Sequence, residues 1–234
     1  MTSTQTVSQV IAQIPENELI FANKLYSERL SSEVTESAFY KTLERLCKAG
    51  ELCKIAKGTY YRPKTSKNGI IPFSQKEIIS AFTQPDKGTV VGYCLYNDLK
   101  LTTQVSKTVE VLSSALDQQT KTISNVLLQF CDLTYTPEVK DTISIMDVLQ
   151  NFGRIQDLNY TQFIRFCEQF VKNYDDDVFE KVFRQIKYQK RTISFLQSIL
   201  LYYHVPNNLG RYLSSLSEYK HPTMEEIYEA ARLS

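Results

Sequence analysis

The stretch Thr35-Glu-Ser-Ala-Phe-Tyr-Lys-Thr-Leu-Glu-Arg-Leu-Cys-Lys-Ala-Gly-Glu-Leu-Cys-Lys-Ile-Ala-Lys-Gly-Thr-Tyr-Tyr-Arg-Pro63 decides the fold. Its first half reads as a helix over 35–49. Thr35 is an N-cap residue, and Glu36 places a negative charge in the first turn, where the helix dipole favours it. Phe39, Leu43, Leu46 and Cys47 recur at helical spacing and form an apolar stripe. Gly50 stands where helices commonly terminate. The second half, 51–62, reads as a β-hairpin. Glu51 to Ala56 alternates polar and apolar residues, Lys57-Gly58 is a turn signal, and Thr59 to Arg62 has strand composition. Pro63 ends it.

The residues before this stretch complete a pattern. Val7, Val10, Ile11 and Ile14 mark an amphipathic helix that Pro15 stops. A short apolar piece, Leu19-Ile20-Phe21, precedes a second helix over about 22–30. The order helix, short strand, helix, helix, hairpin is that of a winged helix-turn-helix. Lys64 to Gly69 is polar and reads as a linker, which sets a DNA-binding domain over 1–67 and a second domain over 68–234. In the latter, Ser74-Gln-Lys-Glu77 is a capping box opening a helix to about Phe82. Asp86 to Gly88 reads as a turn and Gly92 to Leu99 as a short helix. Strand-like runs lie at 108–112 and 122–130. From about 143 the spacing is helical, over 144–152, 160–172, 177–188, 191–203, 207–217 and 223–232. The expected fold class is α+β, mostly helical: an N-terminal winged helix-turn-helix, then a larger α-rich C-terminal domain with a few strands.

Composition narrows the function classes. The 234 residues are 42% hydrophobic and 23% charged, as in a globular chain. The N-terminus has no basic and apolar leader, and no apolar run reaches the roughly 20 residues of a spanning helix, so a soluble cytoplasmic protein without a membrane role is expected. Five widely spaced cysteines, none in a CxxC pair, read as reduced thiols. His204 and His221 have no metal-ligand partners at useful spacing. Asp175-Asp-Asp177 reads as a loop capping the following helix. No glycine-rich phosphate loop and no nucleophile elbow occurs. The sequence therefore predicts no enzyme, no cofactor and no metal.

Charge is concentrated where the fold-deciding stretch lies. Residues 36–67 hold eight basic and three acidic side chains, a net +5 on a chain whose total is +1. Projected at about 100° per residue, helix 35–49 gathers Ser37, Lys41, Arg45 and Lys48 opposite the apolar stripe, with Tyr40 on the flank. A recognition helix has this arrangement. Ser37, Tyr40 and Lys41 would read bases near its N-terminus; Arg45, Lys48, Lys54, Lys57 and Arg62 would hold phosphates. Such a face is often simply solvated, and winged helices also serve as protein-interaction modules; the basic hairpin that follows favours a duplex. Tyr60-Tyr61 and Tyr202-Tyr203 read as half-buried packing rather than base-stacking pairs.

Residues 37–63 also resemble a known family. Leu43, Arg45, Leu46, Lys48, Gly50, Leu52, Gly58, Tyr60, Arg62 and Pro63 fit the run that spans recognition helix and wing in the AbiEi-type antitoxins. Gly92-Tyr93, Leu95, Leu99 and Leu101-Thr-Thr-Gln104 are similar to a second stretch of that family. The resemblance implies a bacterial antitoxin of a type IV toxin–antitoxin system, which contributes to phage resistance. Such a protein represses its own operon by binding an inverted-repeat operator in double-stranded DNA. It opposes a nucleotidyltransferase-like toxin without a stable complex. The alternatives are a winged-helix transcriptional regulator with a ligand-sensing or dimerising C-terminal domain, and a winged-helix protein-interaction module.

Overall fold

The computed structural model describes residues 2–67 and 69–233. The protein is α+β and mostly helical, with ten α-helices and nine strands among the described residues. The chain divides into two compact units, Met1–Ala81 with Lys121–Val126, and Phe82–Thr120 with Leu127–Ser234.

The first unit begins with α1 (Ser3–Ala12), opened by a capping box between Thr2 and Gln5. β1 (Leu19–Phe21) and α2 (Ala22–Leu25) follow, and α2 runs on as a single π-turn over Tyr26–Leu30. α3 (Glu36–Lys48) has Thr35 as its N-cap, the Thr35 hydroxyl accepting from the Ala38 N–H. β2 (Cys53–Ala56) and β3 (Thr59–Tyr61) make the hairpin, with Gly58 at φ +68° where a side chain would be strained. β3 is the central strand of an antiparallel sheet ordered β1-β3-β2. Ile20 lies opposite Tyr60, and Lys54 opposite the same tyrosine on the other side. Val7, Ile11, Ile20, Leu25, Leu30, Phe39, Leu43, Leu46, Leu52 and Tyr60 are buried in one core. Of the positions that the helical spacing selects, Val7, Ile11, Phe39, Leu43 and Leu46 lie in this core, and Val10, Ile14 and Cys47 pack against it half-buried.

The segment expected to be a linker is structured. β4 (Lys64–Ser66) and β5 (Gly69–Ile71) pair antiparallel, Lys64 opposite Ile71. All six residues are exposed, so no alternation of polar and apolar residues marks them. α4 (Gln75–Thr83) opens on the predicted capping box: the Ser74 N–H and hydroxyl both donate to Glu77, whose N–H donates back to the Ser74 hydroxyl.

In the second unit, β6 (Gly88–Val91) pairs antiparallel with β7 (Val109–Ser113), and α5 (Gly92–Asp98) begins directly where β6 ends. The single run expected over 122–130 is instead two strands, β8 (Thr120–Ile123), which falls mostly in the first unit, and β9 (Val126–Phe130), turning at Ser124 with φ +53°. In the second unit the strand order is β6-β7-β9. α6 (Pro137–Asn151) starts six residues earlier than the periodicity at 143 indicated. Thr136 caps it and Pro137 occupies its first turn, a favoured place for proline. Eight of its residues are buried around its circumference, which blurs an amphipathic signal. α7 (Tyr160–Phe170), α8 (Asp176–Gln185), α9 (Lys190–Tyr202) and α10 (Met224–Leu233) match four expected helices. The fifth, over 207–217, is a correction: one 3-10 turn at Leu209–Tyr212 is all that forms. Asn207, Asn208 and Gly210 disfavour helix, and the Asn207 and Asn208 polar groups bond locally or to Asp176 instead.

Asp147, on α6, is the main buried polar junction of this unit. Its carboxylate accepts from the Gly92 N–H at 2.8 Å and from the Tyr96 hydroxyl at 2.9 Å, fixing the start of α5. Burial pushes its pKa up, and these two hydrogen bonds pull it back. Glu110 is also raised, by burial and then by the Asp147 charge. A raised acid pKa in the folded state means that protonation favours folding. The stability associated with this pair is therefore fully present below the ordinary carboxylate range, about pH 4, and is lost as pH rises through the raised values. Asp147→Asn removes that titration while keeping an acceptor. We expect the stability difference, wild type minus variant, to fall in urea unfolding as pH rises from the ordinary carboxylate range, about pH 4; a flat difference contradicts the assignment.

Candidate nucleic-acid interface

α3 is held to the first unit by Phe39 and Leu43, both fully buried, and by Leu46. Its one buried hydroxyl, on Thr42, donates to the Ala38 carbonyl at 2.8 Å. The rest of the helix surface is then free to be polar. Ser37, Lys41, Arg45 and Lys48 are all exposed, as the projection required. Lys54 and Lys57 on the hairpin are exposed too. Among the described residues, no ion pair engages Lys41, Arg45, Lys48, Lys54 or Lys57.

The hairpin and the helix meet at Tyr60. Burial pushes its phenol pKa up, and Cys47, Tyr40 and Glu44 of α3 add to the shift, so these groups lie around its hydroxyl. Cys47 is raised by burial and by Cys53, and lowered by Lys54. Lys54 therefore carries its charge close to the flank of α3. The other face of the hairpin is covered, with the Tyr61 ring 5.1 Å from Phe73. Both Tyr60 and Tyr61 are buried, in keeping with packing.

Two expected contact residues have other engagements. The Tyr40 hydroxyl donates to Asn23 Oδ1 at 2.6 Å, and its ring sits edge-on to Phe39 at 5.2 Å. Tyr40 thus braces α3 against α2. Arg62 departs further from the expectation. Its guanidinium donates to the carbonyls of Ala12 and Ile14, at 3.0 and 2.5 Å, just beyond the end of α1. The last carbonyls of a helix lack intrahelical donors and carry partial negative charge, which a cation satisfies. Sequence reasoning missed this because the partner carbonyls lie some fifty residues upstream. We expect Arg62→Ala to cost about 1–2 kcal/mol of first-unit stability and to leave the salt dependence of duplex binding unchanged; a reduced salt dependence would restore Arg62 to the phosphate contacts.

Elsewhere the polar motifs serve the fold. The Asp175 carboxylate accepts from the N–H groups of Asp177 and Val178, an N-cap on α8. In the 92–104 stretch, the Thr102 hydroxyl donates to the Gln156 carbonyl at 2.7 Å, and the Gln104 amide donates to Asp157 at 2.7 Å. Asn97 donates to the carbonyls of Tyr93 and Gln104. All five cysteines are free. Among the described residues, no group of three His, Cys, Asp or Glu is placed to hold a metal ion, and no helix is long and apolar enough to cross a membrane.

Comparison with known proteins adds a family. A model described as a family of unknown function, DUF6088, matches residues 7–148. The chain belongs to the DUF6088 family. The DUF6088 match runs from within α1 to within α6, so it takes in α3, the β2–β3 hairpin and the Gly92–Gln104 stretch. No curated protein matches this DUF6088 chain. Among solved structures, the RV2827C protein from Mycobacterium tuberculosis is similar at 11% sequence identity and a TM-score of 0.43, over 88% of this chain and 78% of that one.

Proposed function

We propose that the first unit is a winged helix-turn-helix that binds double-stranded DNA. On this reading α3 enters the major groove and the β2–β3 hairpin lies on the flanking backbone. The observation that carries it is the set of five exposed cations, Lys41, Arg45, Lys48, Lys54 and Lys57, on one helix and the hairpin directly after it, with no ion pair among the described residues. A solvated surface commonly intersperses both signs of charge. Here Glu36, Glu44 and Glu51 are too few to neutralise the segment, so counterions must, and a phosphate backbone displaces them with a gain in entropy. Ser37 and Lys41, on the exposed face of the first turns, are the base-reading residues.

Together with the resemblance of residues 37–63 to the AbiEi-type antitoxins, this supports a fuller reading. The protein is a cytoplasmic antitoxin that represses its own operon, with the second unit opposing a nucleotidyltransferase-like toxin and no catalytic role of its own. Two measurements test it. A gel shift on the protein's own promoter should show binding that weakens steeply with salt, and co-expression with the adjacent gene should relieve that gene's toxicity. Absence of promoter binding at low salt overturns the DNA reading. A harmless neighbour, or one not rescued, overturns the antitoxin reading.

A further inference from the structure

A second concentration of cations lies far along the chain, where the α3 reading makes no use of it. Residues 181–191 hold Lys181, Arg184, Lys187, Lys190 and Arg191 and no acidic residue. All five are exposed. The ordinary explanation covers only part of them. Arg184 lies in the last turn of α8, where a cation suits the helix dipole, and it is paired with Glu180, which also binds Arg211. Lys190 and Arg191 stand at the opposite kind of place. They are the first two residues of α9, a thirteen-residue helix with no acidic side chain in its first turn. There the helix already presents partial positive charge, so two more cations are unfavourable unless an anion joins them.

The surroundings supply no such anion. The groups that cap α9 are neutral: the Gln150 side-chain oxygen of α6 accepts from the Gln189 N–H at 3.1 Å and from the Thr192 hydroxyl at 3.4 Å. Among the described residues, the N–H groups of Lys190 and Arg191 make no hydrogen bond, and Lys181, Lys187, Lys190 and Arg191 form no ion pair. The partly buried Tyr188 ring, packed against the core, anchors the chain between Lys187 and Lys190. The cations are therefore displayed from a fixed turn rather than a loose tail.

We infer that the α8–α9 junction is a second binding site for a phosphodiester backbone, built from Lys187, Lys190 and Arg191 with the free N–H groups of Lys190 and Arg191 at the start of α9. Phosphate suits both halves of the site. The side chains neutralise its charge, and the amides at a helix start donate directional hydrogen bonds to its oxygens. A carboxylate offers the same two charged oxygens, but a phosphodiester backbone repeats its charge at a short regular spacing, so several of these cations engage one ligand together.

The test is kept independent of α3 by using the full chain carrying Lys41→Ala and Lys48→Ala as background. Fluorescence anisotropy is read with two labelled probes, a 20-nucleotide single-stranded RNA and a 20-base-pair DNA of unrelated sequence, from 50 to 200 mM salt. The background protein should bind at least one probe, and the tighter of the two names the source of the backbone. Adding Lys187→Ala, Lys190→Ala and Arg191→Ala should weaken that binding at least tenfold and reduce the salt slope by about 2.1 on the RNA or about 2.7 on the DNA. Lys187→Arg with Lys190→Arg should retain it, and an unchanged far-UV circular dichroism spectrum checks the fold. Failure of the background to bind either probe, or an affinity untouched by the three alanines, overturns the proposal. So does displacement of the probe by poly-glutamate as readily as by unlabelled probe, which would assign the site to an acidic protein.

Discussion

Lys41→Ala combined with Lys48→Ala is expected to weaken binding to the protein's own promoter at least tenfold, about 1.4 kcal/mol. Both side chains are exposed on α3, two turns apart, and neither has an ion-pair partner to lose. The substitutions should therefore leave the fold alone, which circular dichroism can verify. The one lost phosphate contact, Lys48, should also reduce the slope of log affinity against log salt by about 0.9. Because Lys41 reads a base edge, the affinity loss will be larger for the promoter than for unrelated DNA; a slope change nearer about 1.8 would assign Lys41 to a phosphate. Promoter affinity that survives both substitutions at moderate salt removes α3 from the interface.

The second large effect concerns the platform beneath that face. Phe39 is fully buried, with its ring 5.3 Å from Tyr26 and 5.2 Å from Tyr40. Phe39→Ala deletes the ring and leaves a cavity between α2 and α3, and such changes cost about 3–5 kcal/mol. Because the chain has two compact units, a single unfolding midpoint would mix them. Amide hydrogen exchange of α3 isolates the effect. Protection there should fall by at least a hundredfold while α6 and α9 keep theirs. Promoter binding should fall with it, since the Tyr40–Asn23 brace depends on the same packing. Exchange in α3 that matches wild type would mean that Phe39 does not hold the helix.

Local chemistry explains what could be read in advance. The Thr35 cap, the Phe39–Leu43–Leu46 stripe and the Lys57-Gly58 turn each act over a few residues, and the structure places all three as their spacing requires. The same holds for the Ser74–Glu77 box. Errors arose where the deciding partner was remote or the pattern was absent. The exposed β4–β5 pair buries no face that could impose alternation. The segment 207–217 has helix-like spacing, but its asparagines find better partners: the Asn207 side chain donates to the Val205 carbonyl and accepts from the Leu209 N–H, and the Asn208 N–H donates to Asp176. α6 is surrounded by core, so its apolar residues occupy every side.

The amino-acid sequence alone determined that α3 would be amphipathic and that its outward face would be basic, because both follow from 3.6 residues per turn and residue type. It determined the hairpin too, because glycine tolerates a backbone conformation that other residues resist. Only the tertiary structure decided which of the basic residues are free. Arg62 and Tyr40 look like surface contact residues in one dimension, yet each is committed to a group that is distant in the chain, a helix end for one and Asn23 for the other. Hydrogen-bond partners are chosen by proximity in space, and that proximity exists only once the core has packed.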